Sequence, residues 1–177
     1  MIALPVETRR LLIRPFVPAG DAEPLHELWG DAAAMRFVPG GAQETIADTR
    51  ARIESAIGRA PAGWGFWALA ERGGRVVGGA GLFPESWEGP EIELAYHVVP
   101  SAWGHGYATE AAGGLLEAAW RQTDLDRVVA FALEDNVAST KVMQKVGMRF
   151  DGRVEYRGHE VVRYVVDRPS DLDHEQG

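Results

Sequence analysis

The chain has 177 residues, 46% apolar and 25% charged, a size and balance that suit one folded domain and exclude disorder throughout. It has no cysteine, which excludes disulfides, thiolate metal sites and a cysteine nucleophile. Its formal charge is −8, the opposite of what a nucleic-acid binder presents.

Residues 10–16, RLLIRPF, read as a short strand ended by Pro15 and Pro18. Asp21 reads as the cap of a helix bearing Leu25, Leu28 and Trp29 on one side. A second helix is predicted over 43–57, with Ile46, Ile53, Ala56 and Ile57 as its apolar stripe and Gly58 as its stop. Three strands follow, over 64–70, 75–83 and 91–99; an Arg-Gly-Gly-Arg turn joins the first two and Pro100 closes the third. Residues 108–122 carry the clearest helical spacing, from Ala108 and Ala111 through Leu115 to Trp120. A β run covers 127–133, and Asn136 then caps a helix with Val142, Met143 and Val146, stopped by Gly147. Two strands, over 149–156 and 161–166, meet around Gly158. Beyond Val166 the chain reads DRPSDLDHEQG, with four acids against one arginine. The predicted organisation is one domain over 6–168 and a short, frayed acidic tail over 169–177.

Strands that group first and then alternate with helices predict an α/β chain of the α+β type, with a mixed, mostly antiparallel sheet. The strand over 91–99, the helix over 108–122 and the strand over 127–133 form one crossover unit. The first residues, MIALPVETRRLL, lack an apolar stretch of signal-peptide length, and no window nears the roughly 18 apolar residues of a membrane span. The expected location is cytoplasmic, with no membrane and no nucleic acid among the partners. No metal site is expected, since His26, His97, His105, His159 and His174 show no paired ligand spacing.

The most informative stretch is PSAWGHGYATE over 100–110, a glycine-bearing loop between a strand and a strong helix. Such a loop aims backbone N–H groups at one point, at the positive end of the helix dipole. Gly104 and Gly106 let a phosphate approach the main chain. A Walker loop is excluded because no lysine is present, and a dinucleotide fingerprint fails at Thr109. The remaining alternative is a tight turn that starts a helix.

Trp103-Gly-His-Gly106-Tyr-Ala108 resembles the [RQ]xxGx[GA] acetyl-CoA loop of the GNAT superfamily of N-acetyltransferases, with Trp103 where Arg or Gln is usual. Asn136-x-x-Ser139 and the later Lys-Val-Gly-Met resemble the NxxS…K[LV]G[FM] helix of its branch of ribosomal-protein N-terminal acetyltransferases. Glu7-Thr8-Arg9-Arg10, Met35-Arg36-Phe37 and Glu93-Leu-Ala-Tyr96 add to the likeness, which spans residues 6–166. It implies a GNAT-like fold with about seven strands and about four helices. It implies transfer of an acetyl group from acetyl-CoA to a primary amine, on a protein N-terminus or a small molecule. The alternative is a non-catalytic acyl-CoA-binding or sensing module on the same fold.

An aliphatic ammonium is mostly protonated near neutral pH, so a carboxylate beside the acceptor is useful as general base. Glu93, mid-strand in an apolar run, is the first candidate; a solvated strand face is the bland alternative. His97 is a weaker base and reads better as a satisfied structural histidine. Ser139 leans toward the buried face, and the resemblance places its hydroxyl near the sulfur. The alternative is a bond to its own helix. The resemblance further implies that the strand splays near Val98 and Val99, whose backbone groups then bind the pantetheine arm. The phosphate cradle comprises Trp103, Gly104, His105, Gly106, Tyr107, Ala108 and Thr109. Asn136 is a helix cap and, by the resemblance, a contact to the coenzyme A amides. Lys141 pairs with a phosphate or lies on a solvated face. Tyr156 and Tyr164 are lesser candidates for donating to the thiolate. Trp87 reads as an acceptor-site wall or as a homodimer contact. With no cysteine to carry the acetyl group, direct attack in a ternary complex is expected.

Overall fold

In the computed structural model, which describes residues 1–38, 40–59 and 63–170, the apolar runs of the sequence pair into one sheet. Its strands are β1 (Val6–Glu7), β2 (Leu11–Arg14), β3 (Gly65–Glu71), β4 (Val76–Pro84), β5 (Ile92–Val98), β6 (Arg127–Ala132), β7 (Arg149–Tyr156) and β8 (His159–Asp167). They lie in the order β1-β2-β3-β4-β5-β6-β8-β7. Only β5 and β6 are parallel; every other neighbouring pair is antiparallel. A parallel pair needs a crossover, which α4 (Tyr107–Gln122) supplies. The eighth strand, beyond the seven expected, is the two-residue β1, which pairs with β2 across a turn closed by Thr8 N–H donating to the Leu11 carbonyl at 2.9 Å.

Four helices of two turns or more are present among the described residues: α1 (Pro18–Trp29), α3 (Ile46–Arg59), α4 and α5 (Val137–Lys145). A one-turn α2 (Ala32–Met35) follows α1. Side-chain alternation along β5 shows which helices share a face. His97 packs on Phe66, which packs on Trp29 of α1, whereas its neighbour Tyr96 reaches Ser139 of α5. Helices α1 and α3 therefore cover one face and α4 and α5 the other. Both interfaces are apolar, with Leu25 and Ile53 buried in the first and Leu115 and Met143 in the second.

Two helix starts differ from the sequence reading. Helix α1 begins at Pro18, a residue suited to a first helical position because it lacks an N–H. Asp21 lies inside the first turn, 2% exposed. Its carboxylate accepts from Arg14 Nη1 and Nη2, each at 2.8 Å, and from Val17 N–H at 2.7 Å. Helix α3 starts at Ile46 because Thr45 and Asp48 form a capping box: Asp48 N–H donates to Thr45 Oγ1 and Thr45 N–H to Asp48 Oδ2. The buried stripe is then Thr49 and Ile53, while Ile46 and Ile57 are exposed and Gly58 lies within the helix. Thr49 tolerates burial because its hydroxyl is 2.8 Å from His26 Nδ1.

The chain end also differs. Asp167 completes β8 and pairs with Arg127 and Arg149, and Arg168 N–H donates to the Asp126 carbonyl. Residues 171–177, most of the expected tail, and His174 with them lie outside the described residues. No described helix is long and apolar enough to cross a membrane. Removing the Asp21 carboxylate leaves Arg14 Nη2 and the Val17 N–H without their acceptor, while Nη1 keeps the Pro15 carbonyl. Asp21→Ala is expected to lower the unfolding free energy by about 2–4 kcal/mol in a urea titration. An unchanged midpoint would show that Arg14 finds water at no cost.

Candidate active site

The centre of the sheet opens at β5 and β6. Strand β5 stays paired with β4 as far as Gly78↔Val98, and β6 with β8 as far as Ala132↔Val162. Between themselves β5 and β6 pair only at Ile92↔Val128 and Glu93↔Val129. The parting thus begins after Glu93, earlier than the expected splay at Val98 and Val99. Val99 N–H donates to the Val77 carbonyl at 2.9 Å, so it belongs to the β4 ladder. By antiparallel alternation His97 and Ala95 also bond β4, and the main-chain groups of Tyr96 and Val98 face the opening. The Val98 carbonyl accepts the Trp103 indole N–H at 2.7 Å, which leaves its N–H directed into the gap.

The loop after β5 leads to the N-terminus of α4. Gly104 (φ 78°) and Gly106 (φ 76°) are both left-handed, and Gly106 is the cap residue of α4. A side chain at Gly106 would stand in open space, its Cβ 3.8 Å from Arg10 Nη2. This is the room a phosphate needs against the first-turn N–H groups, which include those of Ala108 and Thr109. Arg10, a residue the sequence reading did not place here, is held by Glu110, whose Oε2 accepts from Arg10 Nε at 2.6 Å. Glu110 also accepts from Thr8 Oγ1 and from Arg10 N–H, each at 2.7 Å. Burial pushes the Glu110 carboxyl up, but these bonds together hold it below the ordinary range. His105 Nδ1 lies 2.9 Å from the Trp103 carbonyl. Tyr107 donates its O–H to Glu71 Oε1 at 2.7 Å, and its ring stacks 5.6 Å from that of His105 with the Arg10 guanidinium 4.8 Å from its centre. Lys141 is exposed on α5.

A cavity of about 780 Å³ passes through the opening and is lined from both faces of the sheet. On the α1–α3 face lies Glu93, 7% exposed. The Tyr156 O–H donates to Glu93 Oε2 at 2.5 Å. Burial pushes the Glu93 carboxyl up, offset in part by that hydrogen bond and by the charge of Arg157. The solvated-face alternative for Glu93 therefore fails. Its neighbour Trp87 is held at φ 70°, strained for a non-glycine residue, and stacks on Phe83 at 4.4 Å. Both line the cavity, which puts Trp87 on the wall. His97 keeps some exposure as a residue, yet its Nδ1 is sealed off with no partner among the described residues. Burial, with Arg52 nearby, lowers its pKa to about 3. It is neither a satisfied structural histidine nor a useful base near neutrality.

On the α4–α5 face, the Tyr96 O–H donates to the Ser139 carbonyl at 2.9 Å and lies 3.2 Å from Ser139 Oγ. Asn136 Oδ1 accepts from Ser139 N–H at 3.2 Å and so caps α5. Burial pushes the Tyr96 hydroxyl up to about 12, so it stays protonated. Tyr156, a lesser candidate for donating to the thiolate, donates to Glu93; Tyr164 accepts from Gln144 Nε2 at 3.4 Å. The sequence reading assigned Tyr96 no role; its parity opposite to Glu93 along one strand is the signal that points to it. Tyr156 carried no local signal, because its partner is far along the chain.

The acetyltransferase (GNAT) domain family matches residues 10–149. The chain belongs to the GNAT acetyltransferase family. Its curated relative YnaD of Bacillus subtilis, named an uncharacterised N-acetyltransferase, is 29% identical over 83% of this chain and 84% of its own length. A GNAT-family acetyltransferase structure from Bacillus anthracis is 26% identical, with a TM-score of 0.79 over 92% of this chain and 97% of that one. The ribosomal-protein α-N-acetyltransferase RimL, solved with coenzyme A, shares the fold at 18% identity and a TM-score of 0.75, covering 93% and 97% of the two chains. The family makes the chain an N-acetyltransferase.

The raised pKa of Glu93 has a stability consequence. A carboxyl raised above its unfolded value is favoured with its proton on, so its contribution is lost as pH rises through the folded pKa. Glu93→Gln removes that ionisation. It is expected to raise Tm relative to the native protein at about pH 8 and to match it at about pH 4. A Tm lowered equally at both pH values would show a carboxyl held charged.

Proposed function

We propose that Glu93 is the general base for the acceptor amine and that Tyr96, with Ser139, supplies a proton on the sulfur side. The observation that carries this reading is the chemistry of one parted strand. β5 bears a buried carboxyl on one face and, on the other, Tyr96, whose hydroxyl meets that of Ser139 on α5, both at the opening. Acetyl-CoA supplies the thioester and its thiol leaving group. Transfer to nitrogen requires one proton to leave the amine and one to reach sulfur. Glu93, a buried carboxyl whose pKa is raised by burial, accepts the first. Tyr96 holds the second at neutral pH, and Ser139 Oγ, 3.2 Å away, relays it once the Tyr96 O–H turns to it from the Ser139 carbonyl.

The first turn of α4, from Gly106 to Thr109, binds the pyrophosphate, with Arg10 beside it. Trp103 and His105 order that loop through their bonds to Val98 and to the Trp103 carbonyl. Val98 N–H and the main chain of Tyr96 line the path of the pantetheine arm, with Asn136 at its side. Lys141 is a cation for the outer phosphates, and the cytoplasm is the compartment. With no cysteine in the chain, transfer is direct.

Coenzyme A is expected to raise the Tm of the native protein, and no shift at millimolar ligand would remove the cofactor claim. Glu93→Gln is expected to lower kcat by roughly a hundredfold or more with little change in coenzyme A affinity. Tyr96→Phe is expected to lower kcat by about tenfold. Full turnover in both variants would hand both proton transfers to solvent.

A further inference from the structure

We infer that the amine acceptor carries an anionic group, a carboxylate or a phosphate, only a few bonds from its amine. This rests on the acetyl-transfer reading of the same cavity. The acceptor side is lined by four arginines, Arg36, Arg52, Arg59 and Arg157, against one carboxylate, Glu93. That balance inverts the chain as a whole, whose formal charge is −8.

Most arginines elsewhere meet carboxylates, as Arg14 meets Asp21 and Arg163 meets Glu91. Among the described residues, no carboxylate stands within salt-bridge distance of Arg52 or Arg157. Each is instead stacked on a ring: Arg52 lies 4.9 Å from the centre of Trp29, and Arg157 5.2 Å from that of Tyr156. An aromatic face orients a cation without neutralising it. The two guanidiniums come from different elements, Arg52 from α3 and Arg157 from the turn between β7 and β8. Yet they are near enough for burial and then the charge of Arg157 to lower the pKa of Arg52. Arg157 holds its place at φ 51°, a conformation costly for any residue with a Cβ. Two planar donors with no counter-ion from the chain, facing one cavity, match a carboxylate or phosphate oxygen set.

The spacing follows from Arg157. It lies 5.2 Å from the centre of the Tyr156 ring, whose hydroxyl donates to Glu93 Oε2 at 2.5 Å, and its charge acts on both Arg52 and Glu93. The anion subsite therefore adjoins the base, and amine and anion belong to one compact molecule such as an α- or β-amino acid or an aminoalkyl phosphate. Phe66, Phe83 and Trp87 leave an apolar wall beyond it. A polyamine would meet four cations and a single carboxylate here.

The test is calorimetric titration of the native protein, with coenzyme A bound, by matched ligands: phenylalanine against phenethylamine, phosphoethanolamine against ethanolamine, and spermidine. Acetylation of each is measured in parallel. The anionic member of at least one pair is expected to bind tighter by about tenfold or more. The pair with the larger ratio identifies carboxylate or phosphate as the source. Arg52→Gln and Arg157→Gln are each expected to bring that ratio toward unity, while Arg52→Lys preserves more of it. A ratio of affinities within one variant cancels any general loss of fold or of coenzyme A binding. Phenethylamine, ethanolamine or spermidine binding as tightly as the ligands that carry an anionic group would overturn the inference, as would a ratio unchanged in both glutamine variants. Binding is read apart from turnover. Tight binding of the anion-bearing amines without acetylation would therefore sink the catalytic reading alone, and acetylation confined to amines without an anionic group would sink this one alone.

Discussion

The incomplete pairing of β5 with β6 governs everything else in the site. β5 holds β4 over seven residue pairs and β6 holds β8 over six, but the two meet at only two. The outer ladders keep both strands extended, so only the main-chain groups facing the gap lack a ladder partner. A mid-sheet strand normally offers no free edge; this one offers Tyr96 and Val98. The parallel direction of the pair demands a crossover, and that crossover begins with α4 at the mouth of the gap. Groove and phosphate cradle are therefore consequences of one topological fact.

Strand alternation then divides the chemistry. Glu93 and Tyr96 stand three residues apart, so they project to opposite faces and reach different partners. One physical cause, burial, acts on both with opposite use. It raises the carboxyl, which makes it a stronger base, and it keeps a phenol protonated. Tyr156 tempers the first by donating to the carboxylate. The arginines of the cavity stand out against a surface where acids and arginines pair, as Arg127 does with Asp167.

Local signals were legible where local physics decides. Asn136 caps α5, and β7 spans the predicted 149–156, because cap chemistry and β-period patterns act within a few residues. The helix before Gly30 was misplaced at its start, since Asp21 bonds to Arg14 of a neighbouring strand. The stripe of α3 was misread because Thr49, polar by type, is satisfied by His26 of α1. In each case a partner from another element overrode the pattern within the segment.

The sequence by itself determined the order of elements, the glycine loop before α4, the acidic balance and the family likeness. Each of these depends on neighbours in the chain or on composition. Only the tertiary structure decided that the strand parts after Glu93, that Tyr156 bonds that carboxyl, and that Arg10 reaches the cradle. It also decided that Arg52 and Arg157 share one cavity. Hydrogen bonding, burial and charge act through space over a few ångströms, and the groups they join here lie on elements far apart in the chain.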